Sequence, residues 1–382
     1  LRSCPDAFEV RNKAAALTKA QKPRAYHQTP GNLEMTSRAE GPDLEWLRRA
    51  FVLARQARTG GHRPFGAVVA SPRGLISEAG STQTADGDPT GHAEMNAVRM
   101  AMKFAPRGKL REATLYASSE PCAMCAAAIF YSGIERIVFG FSEMKLRPLR
   151  NLTIRGAGVS LSCRDVLAKA PARLAVIGPC LEDEAAEVHA GYWARTGNAG
   201  ADREHPMALS SFSTDDALAD RDTAFLRRTF NLAEDAGARG ELPFGALVAS
   251  AAGKVLIEAI STEIGDGDWT CHAETNAIRK IAALVPRDRL AASTLYASSE
   301  PCVMCASAAF YSGIRRIVFG FGEARLRLLL GAADETAGLG LSCRDVLAHA
   351  PGAFEIYGPC LEEEASLPLA RYWPKLSSGP TA

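Results

Sequence analysis

No stretch of this 382-residue chain comes near the roughly 20 consecutive apolar residues that span a bilayer, so no membrane segment is expected. Excess charge is missing too. The 44 lysines and arginines against 43 aspartates and glutamates leave a formal net charge of +1, so nucleic acid would need a local basic patch to be held. Cysteine is too sparse, at ten residues, for a disulfide scaffold of this length. In a reducing compartment the paired ones read as metal ligands and the others as reduced thiols. The opening residues LRSCPDAFEVRNKAAALTK hold no apolar signal-peptide core, and the expected location is cytoplasmic. Residues 1–41 lack a clear period and read as a flexible N-terminal arm.

What is present is written twice. The phrase SSEPCAMCAAAIFYSGI begins at Ser118 and SSEPCVMCASAAFYSGI at Ser298. His92 and His272, Cys122 and Cys302, and Cys163 and Cys343 are each 180 residues apart, and 25 of 31 positions agree between 113–143 and 293–323. A period this long exceeds any solenoid unit and signals tandem duplication of a whole domain, which the chain is long enough to hold twice. The expected domains are 42–195 and 218–376, with a Gly- and Ser-rich linker at 196–217 and a tail at 377–382. Each copy runs helix, two strands, a helix opened by His-Ala-Glu, the strand TLYAS, a Pro-Cys-x-x-Cys helix, the strand RIVFGF, a short helix, a strand and an acidic helix. Continuous apolar strands call for helices on both faces, giving an α/β fold, a three-layer α/β/α sandwich duplicated in tandem. The helix between RIVFGF and the last strand makes those two strands parallel neighbours.

The chemistry lies in the histidine, glutamate and cysteines. Pro121 suits the first position of a helix, leaving Cys122 and Cys125 in its opening turn, where a partial positive charge favours thiolates. Two thiolates and one imidazole are three protein ligands, which leaves a fourth tetrahedral position for water, the catalytic arrangement of zinc. Glu94 and Glu274 follow their histidines by two residues, at helix starts that bring a carboxylate beside that water.

The pattern H-x-E followed by P-C-x-x-C is the signature of zinc-dependent base deaminases. The chain resembles two fused cytidine-deaminase-superfamily domains, closest to the branch of guanine deaminases and tRNA adenosine deaminases. The resemblance implies two zinc ions per chain, one on His92, Cys122 and Cys125, the other on His272, Cys302 and Cys305. It implies proton transfer by Glu94 and Glu274 during hydrolytic deamination. It also implies an internal pseudo-dimer of the two domains, with further homo-oligomers open. Phe65 and Phe244 of PFGA would line the ring slot or pack the core. Ser118 and Ser298 join them as substrate contacts. The asparagine that binds substrate in these relatives has no counterpart in EAGSTQTADGD or EAISTEIGDGD, so that contact is absent or supplied by Ser81, Thr82, Ser261 or Thr262.

The acidic ends LEDEAAEVHAGYW and LEEEASLPLARYW argue against a tRNA substrate. A small molecule is expected, a free base or related aminated heterocycle, with guanine the best single choice. The alternatives are a nucleoside or tRNA adenosine deaminase, or one active domain beside a structural one. A second acid after the FGF strand, as in guanine deaminases, would be Glu335, with Asp334 behind it. The first copy has Arg155 there, so the sites are expected to differ, the second being the guanine-type one.

Overall fold

Strand β1 (Gly66–Ser71) sends Ala67 and Val69 to one side and Val68 and Ala70 to the other, and all four are buried. A strand buried on both faces has no polar alternation, hence the unbroken run GAVVA. This is a computed structural model describing residues 39–150, 158–171, 174–193, 211–213, 218–330 and 338–373. The arm thus lies almost wholly outside the described residues, as do most of 196–217 and the tail.

The first sheet has the order β2-β1-β3-β4-β5, with β2 at Gly74–Gly80, β3 at Thr114–Ser119, β4 at Arg136–Phe141 and β5 at Ala175–Ile177. β1 pairs antiparallel with β2 and β3, whereas β3, β4 and β5 run parallel, as the intervening helices require. The second copy repeats this with β7 (Gly245–Ala249), β8 (Val255–Ile260), β9 (Thr294–Ser299), β10 (Arg316–Phe321) and β11 (Glu355–Tyr357). It adds a sixth strand, β6 (Ser211–Ser213), parallel to β11, from within the stretch read as linker.

Helices Gly41–Thr59 and Glu182–His189 cover one face of the first sheet through Leu47, Phe51 and Val188. Helices Ala93–Phe104 and Ala123–Ser132 cover the other through Met95, Val98, Met124 and Ile129. The helix at 123–132 is buried all round, which a helix apolar on every side demands. It packs on its counterpart Val303–Ser312, and one buried apolar cluster runs through both copies. Their seam is also polar. Arg99, buried, donates to Thr90 at 2.9 Å and to Thr270 of the other copy at 3.0 Å, and Arg279 pairs with Asp88 at 3.3 Å.

Gly66 shows why PFGA needs its glycine. A Cβ there would meet Ala50 O at 2.2 Å and Ala54 N at 2.6 Å, and Gly245 is wedged likewise against Thr229 O. Any side chain would push the first helix off the sheet.

On the outer face Arg136 grips Asp43 with two bonds of 2.7 Å while Tyr116 donates to the same carboxylate; Arg316, Asp222 and Tyr296 repeat the triad. Burial raises the Asp222 pKa, but the Arg316 and Tyr296 hydrogen bonds outweigh it and hold it below the usual 3.8. A lowered folded pKa contributes stability that is present above the unfolded value and lost as pH falls through the folded one. Asp222→Asn should therefore cost about 3 kcal/mol at pH 7. The difference from wild type should shrink as pH drops below about 4, as urea unfolding at several pH values would read. An equal difference at pH 3 and pH 7 would refute the assignment.

Candidate active site

His92 caps the helix that starts at Ala93, and its extended backbone turns the imidazole toward the start of the helix Ala123–Ser132. That helix is capped by Cys122, so Pro121 stands one residue outside it rather than at its first position. The cause is Cys122 itself, whose extended backbone (ψ 171°) cannot be part of the helical turn. Cys125 still comes back over it. His92 Nδ1 lies 3.5 Å from Cys122 Sγ and 3.4 Å from Cys125 Sγ, and the two sulfurs are 3.6 Å apart. Tetrahedral zinc, with bonds of about 2.3 Å to sulfur and 2.0 Å to nitrogen, holds two sulfurs about 3.8 Å apart and each about 3.5 Å from the nitrogen. The donor set therefore fits. His272, Cys302 and Cys305 form the matching group, with Nδ1 3.6 Å from Cys302 Sγ. The thiol of Cys122 is held low by the hydrogen bond from Cys125, as suits a metal ligand.

Glu94 and Glu274 are buried within the same groups, their Oε2 atoms 3.7 and 3.6 Å from Cys125 and Cys305. Burial, with smaller contributions from Cys122 and Cys302, pushes both carboxyls up to about 7 despite the opposing histidines. Each sits in a cleft with the metal-type donors, of about 890 Å³ in the first copy and 630 Å³ in the second, mouths included.

The expected substrate contacts separate into two sets. Phe65 lines the first cleft and Phe244 the second. The hydroxyls of Ser118 and Ser298 are instead taken up by the backbone N–H groups of Gly66 and Gly245, at 3.0 Å each. Ser81 donates to Gly91 O and Ser261 to Glu263, both buried away from the ring slot. Glu335, Asp334 and Arg155 lie outside the described residues. Cys163 and Cys343 are buried core thiols, and no disulfide is formed among the nine described cysteines.

Several lining groups escaped the sequence reading. Glu263, where the first copy has Gln83, places Oε1 3.5 Å from His272 Nε2. Glu323 lines the second cleft, and burial with the charges of Cys302 and Glu300 raises it to about 8. Ser299, one residue past the expected serine and so on the opposite face of the strand, is buried with its hydroxyl unpartnered at the cleft. Its counterpart Ser119 is 3.0 Å from His189 Nε2.

Each site is also walled by the other copy. Tyr311 meets His92 edge to face at 4.9 Å and hydrogen-bonds Cys122, while Tyr131 meets His272 at 4.9 Å and hydrogen-bonds Cys302. Arg287 enters the first cleft and Arg107 the second, each passing over the glycine that ends an FYSG phrase. At Gly313 (φ +98°) a Cβ would meet Arg287 Cγ at 2.8 Å. The contact predicts that Tyr311→Ala weakens zinc at the first site, though the residue belongs to the second copy. Alkylation of Cys122 and Cys125 under chelator should rise about tenfold, with Cys302 and Cys305 unchanged. Mass spectrometry finding both pairs equally exposed would reject the crossing.

Comparison with known proteins agrees with this geometry. The profile of the family described as "cytidine and deoxycytidylate deaminase zinc-binding region" matches residues 41–141 and 219–321, together over half the chain. A probable cytosine deaminase of Schizosaccharomyces pombe is 40% identical over 151 residues, 40% of this chain and 92% of the relative. A tRNA-specific adenosine deaminase of Haemophilus influenzae is 42% identical over 104 residues, 27% of this chain. A guanine deaminase of Bacillus subtilis is 40% identical over 88 residues, 23% of this chain. The matches span 60% and 56% of the lengths of these last two. Among the described residues no helix is long and apolar enough to cross a membrane.

Proposed function

From the premise that this chain belongs to the cytidine and deoxycytidylate deaminase zinc-binding family, we propose that it is a hydrolytic deaminase of free aminated heterocycles, with two zinc-dependent sites. The second site is the guanine-type one. The observation that carries this is the acceptor-rich wall of the second cleft, where Glu263, Glu274, Glu323 and the free hydroxyl of Ser299 converge beside Phe244 and Trp269. Guanine offers N–H groups along its amidine edge, and carboxyl oxygens, ionised or protonated, can accept hydrogen bonds from them.

Zinc, held by His272, Cys302 and Cys305, would supply a water acidified to near neutrality. Glu274 is the proton carrier. It takes a proton as the water oxygen bonds to the ring carbon, passes it to the adjacent ring nitrogen, then takes the proton left on that oxygen and delivers it to the departing amine. The C–N bond breaks, ammonia leaves, and the ring keeps a carbonyl. Phe244 and Trp269 stack on the ring and keep bulk water off it. His92, Cys122, Cys125 and Glu94 have the same roles in the first cleft.

The near-full-length match to a probable cytosine deaminase favours a second reading, a cytosine-type pyrimidine at one of the sites. Ammonia release from zinc-loaded protein, screened over guanine, cytosine, adenine and their nucleosides, decides between them. The blank is a Glu94→Gln, Glu274→Gln double variant. Guanine above cytosine supports the first reading and the reverse order the second. Release from no free base would reject both.

A further inference from the structure

The two clefts differ in charge. In the first, Arg63, Arg150 and Arg287 face Glu94, Glu120 and Glu143; in the second, Arg107 is the one guanidinium among the described lining residues and faces Glu263, Glu274, Glu300 and Glu323. The zinc groups have the same composition and cancel from the comparison. The source is local. Leu242 and Leu330 stand in the second copy where the first has Arg63 and Arg150.

Two features mark the guanidiniums as a built anion site. The Arg63 guanidinium makes no ion pair or hydrogen bond among the described residues, and burial together with the like charges of Arg150 and Arg287 pushes its pKa down. Arg150 is mostly buried, stacked over Phe65 and Trp193 at 5.6 Å, with one nitrogen 3.3 Å from Glu143 and its Nε without a hydrogen-bond partner. A desolvated guanidinium without an ion pair, beside a second whose Nε has no hydrogen-bond partner, is costly unless something of opposite sign completes them.

We propose that the first cleft recognises an anionic substituent, a phosphate or a carboxylate carried by the aminated ring, through Arg63, Arg150 and Arg287, while the second takes an uncharged ring. Planar guanidiniums bind either anion with paired hydrogen bonds. This rests on the deaminase reading above, so its test is chosen to fail separately.

Zinc-loaded full-length chain is titrated calorimetrically with two matched pairs, cytidine against cytidine 5′-monophosphate and cytosine against 5-carboxycytosine. The anionic member of at least one pair should bind about tenfold tighter or more, and the pair that shows it identifies the substituent. The gain should weaken with added salt and vanish in Arg63→Leu and in Arg150→Leu, which install the residues the second copy already accommodates. Zinc content confirms that each variant is folded. Conversely, Leu242→Arg should raise anion affinity at the second cleft. No preference for either anion, or a preference that survives both leucine variants, overturns the proposal. Ammonia release is followed in parallel. Anion binding with no release from any substrate removes the deaminase reading and leaves the anion site, while release from neutral rings with no anion preference does the reverse.

Discussion

Glu274→Gln is expected to lower kcat/KM on the best guanine-type substrate by about 10²–10⁴-fold, the usual contribution of a general acid–base group. Glutamine keeps the size and hydrogen-bonding reach of the side chain but cannot gain or lose a proton at neutral pH. Glu274 is buried and hydrogen-bonded by Cys305, so the substitution should leave the pocket's shape and its zinc intact. Glu94→Gln, made in the same way beside Cys125, should spare most of that turnover, because the acceptor-rich wall belongs to the second cleft. On a substrate of the first cleft the order reverses. Steady-state ammonia release from the two single variants and the double variant tests this directly. Equal losses from both single variants on every substrate would end the claim that the sites are distinct.

Cys305→Ala should lower the zinc content of purified protein from two ions per chain to one. The remaining thiol and imidazole are two donors, fewer than any of the usual protein ligand sets for zinc. Because the metal binds the folded chain, losing it also lowers stability, by about 4 kcal/mol when free zinc stands at a thousand times the dissociation constant. Thermal unfolding in buffered zinc should show that loss, and adding chelator to wild type should reproduce it. Emission spectrometry finding two zinc ions in the variant, or one in wild type, would reject the assignment of a complete ligand set to each copy.

The parts of the site legible in the sequence are those whose partners are close in the chain or fixed by helix geometry. His92 and Glu94 share a helix start, and Cys122 and Cys125 share another, so spacing alone placed them. The parallel pairing of β4 with β5 was legible because a helix must lie between them. What stayed hidden depends on the other copy or on strand phase. Tyr311 and Arg287 reach the first cleft from far along the chain, and no local pattern marks a side chain that crosses a seam. Without Arg287 the basic residues of the first cleft look scattered along the chain. The serines turned on a single step of the pleat. Ser298 and Ser299 point to opposite faces, and the hydroxyl at the cleft is the later one.

The shared seam has a consequence for how freely the two sites can differ. In a twofold homodimer every substitution is made twice, so an arginine introduced into one cleft appears in both. Here the walls exchanged across the seam are encoded once each, and position 63 can hold arginine while its counterpart, position 242, holds leucine. Covalent joining also keeps each half at a high effective concentration around the other, so Tyr131 and Tyr311 remain in place however dilute the protein. A dimer of identical chains would lose those walls on dissociation and could not dedicate one cleft to anions. The tandem chain has both the shelter of a dimer and the independence of two genes.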